Sequence, residues 1–229
     1  ITTDLYLYPE GYLIAVVETE HPIDESYYYV GHRQILGLFP ATGRKVYLFY
    51  MIPRGSFVAV KQRSIASLQL EWTQIAPQFA PVFRNLTDWS QTAYMPTGRV
   101  RTPTWVAEGA VLIGDAAHAM NPHASQGRMQ AMVDAMALAD LLPGCLEDRD
   151  YSAERLRAYE IARRPHVTML QRLADQQVFY WNTGNPVVAW LRERVFQTLD
   201  RNPRLRYQVL STTAGLRTTP PFTLLDRVI

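Results

Sequence analysis

Gly109-Ala-Val-Leu-Ile-Gly-Asp-Ala-Ala-His118-Ala-Met-Asn-Pro122-His-Ala-Ser-Gln-Gly127-Arg-Met-Gln-Ala-Met-Val-Asp134-Ala is the stretch on which the fold turns. Val111, Leu112 and Ile113 form a short apolar run that stops at Gly114-Asp115, and amphipathic patterning resumes only after Pro122 and Gly127. The pattern predicts a buried strand, a loop of small residues and a helix. From about Gln126, Ala131, Ala135, Leu138 and Leu142 recur at helical spacing, and Pro143-Gly144 supplies an expected stop. In open α/β sheets ligands sit where a strand's carboxyl end leads into a helix N-terminus, because backbone N–H groups and the positive end of the helix dipole converge there. Asp115, at that strand's end, is placed to accept hydrogen bonds from ligand hydroxyls.

These residues, Val111 to His118 with Pro122, Gly127 and the run Gln130-Ala-Met-Val-Asp-Ala135, resemble the second flavin-contacting motif of the class A FAD-dependent monooxygenases, the para-hydroxybenzoate-hydroxylase-like family. The resemblance implies that the Gly114-Asp115 pair meets the ribityl chain through Asp115 and that Pro122 lies near the isoalloxazine ring. It also implies that Gly127, Arg128 and Met129 bring a helix N-terminus to the pyrimidine edge, with Ala124, Ser125 and Gln126 cofactor-binding beside them. Ala124 or Ser125 stands where a glycine is usual, and Met129 where many members have Asn. The implied activity is hydroxylation of a small aromatic substrate with FAD, NAD(P)H and molecular oxygen, through a flavin hydroperoxide. Epoxidation, halogenation and reduction remain open, because related flavoproteins share the motif; so does a non-catalytic fragment.

That resemblance also demands Gly-x-Gly-x-x-Gly between a strand and a helix, to hold the FAD pyrophosphate. No two of the twelve glycines stand two apart, and the chain starts at Ile1. The expectation is therefore a carboxyl-terminal part whose partner is a missing amino-terminal half. The expected class is mixed α/β: an incomplete Rossmann-like FAD/NAD(P)-binding domain, a β-sheet substrate domain and carboxyl-terminal helices. The expected divisions are 1–97 for the substrate domain, 98–150 for the flavin domain and 151–229 for the helical region.

A chain of 229 residues that is 48% hydrophobic can bury a substantial core. Its net charge of +2 gives no footing for nucleic acid as a partner. The single Cys145 excludes an internal disulfide framework and fits a reducing, cytoplasmic setting. No apolar run is long enough to read as a membrane span. Asp115, His118 and His123 match no common metal-ligand spacing, so no metal is expected; His118 is read as bonding to backbone and orienting the loop.

Leu5 and Leu7, then 12–17 after Pro9-Glu10-Gly11, read as a hairpin, followed by strands at 27–30, 34–39 and 45–52. Both faces of the last are apolar or aromatic, so both should be covered. Tyr47, Phe49 and Tyr50 in it, with Pro122 and His123, are the candidates for an aromatic substrate's wall, although aromatic residues are favoured in strands for packing alone. Leu68, Trp72, Ile75, Phe79 and Val82 make a helical stripe interrupted by Pro77 and Pro81. Residues 89–95 read as a return strand, and Trp105 as a packing residue. A long helix is expected over 153–177, with Ser152 as its cap. Asn185-Pro186 opens a last one, with Val188, Leu191, Val195 and Leu199 inward. The tail beyond Asn202-Pro203 is expected to drape over the surface.

Overall fold

The structure is a computed structural model that describes residues 1–217. The fold is mixed α/β, with an antiparallel-paired sheet and carboxyl-terminal helices. The chain divides into two compact units: Tyr8–Thr97 with Trp181–Ala189, and Ile1–Leu7 with Gly98–Tyr180 and the chain from Trp190 onward.

Strands β1 (Asp4–Glu18), β2 (Tyr27–Val30), β3 (Ile35–Ala41), β4 (Lys45–Pro53) and β5 (Thr92–Arg101) form one sheet in the order β2-β3-β4-β1-β5. The hairpin expected around Pro9-Glu10-Gly11 is absent, and β1 runs straight through it for 15 residues. The reason lies in its neighbour: β4 pairs with β1 from Glu10 to Glu18, and the Pro9 carbonyl accepts the Arg54 N–H at 2.8 Å. Gly11 serves close approach rather than a turn, since a Cβ there would lie 2.4 Å from the Tyr94 hydroxyl. The β3–β4 hairpin forms where expected, closed by Thr42-Gly43-Arg44, with Gly43 and Arg44 at φ 76° and 59°.

Period-two alternation sorts the sheet's side chains onto two faces. Leu13, Ala15, Val17, Leu36, Leu38, Val46, Leu48, Tyr50 and Ile52 pack against Leu68 and Trp72 of α2 (Ile65–Ile75), which follows the short α1 (Phe57–Lys61). Ser64 caps α2 by accepting the Ser67 N–H at 3.1 Å. Pro77 then opens a single 3-10 turn, Pro77–Phe79, and Pro81 sits in the first turn of α3 (Ala80–Phe83), so the stripe is split where the prolines stand. The opposite face carries Tyr12, Ile35, Phe49 and Met51, with Tyr28, Phe39, Tyr47 and Trp181 against them.

In the other unit, Trp105, Val106, Ala117, Cys145, Leu156, Tyr159 and Val167 form the core. The run expected as a buried strand is shorter and more open. Only Ala110–Val111 (β7) is extended, paired with Val106–Ala107 (β6), and Ile113 is 39% exposed. Among the described residues this strand pairs along one edge only, with the two-residue β6, which is too little pairing to extend it through Ile113.

After α4 (Asp115–His118) comes α5 (Gly127–Asp148), which continues past the expected stop, with Pro143 inside it. It ends instead at Arg149, in the left-handed region at φ 53°. There the Arg149 N–H bonds to Leu146 O and the Asp150 N–H to Cys145 O, a Schellman-type closure. The inward face is Gln130, Asp134, Leu138, Leu141 and Cys145, while Ala135 and Leu142 face out. At this length α5 is, among the described residues, long and apolar enough to cross a membrane by length and composition. Its Gln130 and Asp134 are bonded to another helix, as described below.

Helix α6 (Ala153–Trp181) begins with Ser152 accepting the Arg155 N–H at 3.2 Å. In α7 (Pro186–Arg201), opened by Asn185, the buried residue is Arg192; Leu191 and Val195, expected inward, are exposed. Beyond Asn202 the chain forms α8 (Pro203–Thr213) instead of a draped tail, because Asn202 accepts the Leu205 N–H and Pro203 fits the first turn. The rest of that expectation, from residue 218 on, lies outside the described residues.

Candidate active site

The site begins with one glycine. Gly114 takes φ 56° and ψ −137°, and a Cβ there would lie 2.9 Å from that of Ala131. Both the backbone angle and the lack of space therefore require glycine. The turn delivers Asp115 as the first residue of α4, with the Ala117 and His118 N–H groups bonded back to the Gly114 carbonyl at 3.0 and 2.9 Å. The Asp115 side chain is exposed, and its Oδ1 lies 3.8 Å from the Cβ position of Gly127. A carboxylate and the start of a 22-residue helix thus come together although eleven residues separate them in the chain.

That loop is tightly held. Pro122–Ala124 forms one 3-10 turn, capped by the Asn121 side chain, which accepts the His123 N–H at 3.1 Å. Ser125 follows at φ 53°, the left-handed conformation that favours the glycine usual at this point of the motif. Gln126 is buried; its amide donates to Thr213 O, and its Oε1 accepts from Gln130 at 3.2 Å. Helix α5 carries no side-chain cap, so the first N–H groups at Gly127, Arg128 and Met129 have no acceptor within the helix. Arg128 and Met129 are exposed there. Such a start attracts an anionic or carbonyl-bearing ligand.

Beneath the turn lies a polar cluster. Asp134 Oδ2 accepts the Gly114 N–H at 2.9 Å and contacts His118 Nε2 at 2.7 Å; its Oδ1 accepts Arg163 Nε at 2.8 Å. Arg163 in turn donates to Gln130 Oε1 at 2.6 Å. Burial alone would raise the Asp134 carboxyl, but the bonds from His118, Gly114 and Arg163 outweigh it and hold the group below the ordinary carboxylate range. His118 therefore meets a side chain, contrary to the expectation of a backbone bond, because α5 turns Asp134 toward the loop. Around the cluster, Trp105 packs on His118 and Tyr159 with centroids 4.9 and 6.0 Å apart, which makes it a packing residue. Glu160 accepts the Trp105 N–H at 3.0 Å, and burial, which would raise its carboxyl, is outweighed by that bond and by Arg164.

The sequence reading missed Asp134, Gln130 and Arg163. Their signal was present: Gln130 and Asp134 are polar residues four apart on the side of α5 that also carries Leu138, Leu141 and Cys145. Polar groups on an inward face need partners, and Arg163 supplies them from the next helix.

The candidate substrate residues are not brought together as one wall. Tyr47 and Phe49 lie on the aromatic face of the sheet, where Phe49 is 4.9 Å from Tyr12 and 5.6 Å from Phe39. Tyr50 lies on the opposite, helix-covered face. There its hydroxyl donates to Glu71 and accepts from Gln34 at 3.3 Å; burial and Glu71 push it up to about 12. Alternation explains the split, since adjacent strand residues point to opposite sides. Pro122 and His123 belong to the loop of the other unit, His123 being buried and Pro122 partly so.

A mixed α/β fold that sets an exposed carboxylate beside an uncapped helix start is an arrangement suited to a ligand with hydroxyl and anionic groups. Residues 14–174 match the family described as FAD binding domain, and the chain belongs to that family, the class A FAD-dependent monooxygenases. It is 43% identical over 86 residues to a salicylate hydroxylase of Pseudomonas putida, covering 38% of this chain and 20% of that one. It is 26% identical over 162 residues to the 6-methylpretetramide 4-monooxygenase of Streptomyces rimosus, covering 70% and 39%. Among solved structures, Klebsiella pneumoniae HpxO complexed with FAD and uric acid has a similar fold, with a TM-score of 0.73 and 22% identity over 96% of this chain and 56% of that one. The chain thus spans less than two fifths of these curated relatives and about half of the solved one.

Proposed function

We propose that the protein acts as an FAD-dependent monooxygenase that hydroxylates a small aromatic substrate with NAD(P)H and molecular oxygen. The observation that carries this reading is the exposed Asp115 carboxylate, 3.8 Å from the Cβ position of Gly127 at the uncapped start of α5. The residues fit a flavin. Asp115 would accept from the ribityl hydroxyls, Gly127 leaves room for close approach, and the N–H groups of Gly127, Arg128 and Met129 would favour negative charge at the pyrimidine edge. That stabilisation is worth about 1 kcal/mol, somewhat more when partly buried. When bound, FAD would supply acceptance of hydride and activation of oxygen. This chain's part is to hold and orient it. Gly114, Pro122, Ala124, Ser125 and Gln126 set the loop, and the partly exposed Tyr47, on the aromatic face that Phe49 backs from within, is offered to a flat substrate. Relatives named for aromatic hydroxylation support the substrate class.

The test is Asp115→Ala. FAD affinity, followed by quenching of flavin fluorescence, should fall at least tenfold, together with NAD(P)H oxidation and oxygen uptake in the presence of aromatic acids. Unchanged affinity would remove Asp115 from the site, and product analysis would separate hydroxylation from epoxidation, halogenation or reduction.

A further inference from the structure

The bonds of the cluster under Gly114 converge on the Asp134 carboxylate, and one of them holds the N–H of the turn. Asp134 is fully buried, yet it spends one oxygen on His118 and the Gly114 N–H and the other on Arg163. Arg163 is locked in its turn by Gln130 Oε1 at 2.6 Å, so the carboxylate cannot rotate without breaking bonds on both sides. His118 closes α4 from the other end, and its ring is buried beneath Trp105. The Gly114 N–H is the backbone group immediately before Asp115, and Gly114 is also the residue whose conformation aims α4. Four side chains from α4, α5 and α6 thus fix one peptide.

We infer that His118, Asp134, Arg163 and Gln130 are positioning residues that set the Asp115 carboxylate against the start of α5, and that flavin affinity depends on them although none belongs to the exposed lip of the site. The inference rests on the flavin reading of Asp115 and Gly127. Gln130 adds a second link: it donates to Gln126, the residue before the helix start, so the same cluster grips both the carboxylate's turn and the first turn of α5. A role in packing alone would predict general destabilisation and nothing more when the cluster is cut. A positioning role adds a local loss, at the turn and at the ligand.

Asp134→Asn in the complete protein separates the two, with Arg163→Lys beside it. Lysine keeps the charge facing Asp134 but lacks the fork that reaches Gln130 at the same time. Two readings are taken: hydrogen–deuterium exchange of 112–119 without flavin, and the FAD dissociation constant. The expected result is faster exchange at 112–119, by a larger factor than in β3 and β4, and FAD binding at least tenfold weaker in Asp134→Asn and several-fold weaker in Arg163→Lys. Should Asp134→Asn fail to fold, Arg163→Lys gives the same pair of readings. If exchange speeds up and FAD affinity stays at the wild-type value while Asp115→Ala still weakens it, the positioning role is overturned and the flavin site stands. If Asp115→Ala and wild type bind FAD alike, the flavin reading fails and takes this inference with it.

Discussion

Gly114 and Asp134 show how much of this site rests on single atoms. Adding one methyl at Gly114 demands φ 56° of an L-residue and a 2.9 Å approach to Ala131. Gly114→Ala should therefore cost about 1–3 kcal/mol of stability in denaturant titrations and disturb FAD binding along with it. Asp134 yields a prediction with a sign. Its carboxyl is held below the ordinary 3.8, so its contribution is present above that pH and is lost as pH falls through the lowered value of the folded state. At pH 6 Asp134→Asn leaves the Arg163 cation without its buried partner and should destabilise by roughly 3–5 kcal/mol. As pH falls through that lowered value the gap between variant and wild type should narrow, because wild-type Asp134 also becomes neutral. Curves that stay parallel from pH 6 down to acid unfolding would refute the linkage.

At the scale of elements, legibility followed the range of the forces involved. The Gly114-Asp115 turn, the Ser64 and Ser152 caps, the β3–β4 hairpin and the proline break between α2 and α3 are local events, readable from a few adjacent residues. Gly11 was misread because its job is distant: it makes room for the Tyr94 ring, and no neighbour in the chain announces that. Pro143 was misread for the converse reason. A proline costs a helix one N–H bond, but the closure after Asp148 is bonded independently of it. The Gln130–Asp134–Arg163 cluster joins two helices, so only polar residues on an inward face hinted at it. The same lesson governs the aromatic face. Gly37 has no local reason to be glycine, yet a Cβ there would lie 2.0 Å from Phe49 Cε1. Gly37→Ala should push the Phe49 ring away, cost about 1–3 kcal/mol in chemical denaturation, and raise KM for an aromatic substrate more than it lowers kcat. An unchanged KM would remove Phe49 from the substrate's surroundings.

Across the whole molecule, the two compact units are pieces of interleaved chain: β1 passes from one to the other between Leu7 and Tyr8, and β5 between Thr97 and Gly98. The proposed flavin contacts, from Gly114 to Met129, all belong to the unit containing Gly98–Tyr180. Ligand binding to the native state alone adds stability by mass action, about 2.7 kcal/mol at a hundred times the dissociation constant. Because two strands run through both units, that gain should reach the slowest-exchanging amides of β3 and β4 as well as those of α5 and α6. Hydrogen exchange at saturating FAD should slow both sets by a similar factor, about a hundredfold for amides that exchange only through global unfolding. If only α5 and α6 were protected, the units would be unfolding separately, and β1 and β5 would have to break at their crossing points before either core opens.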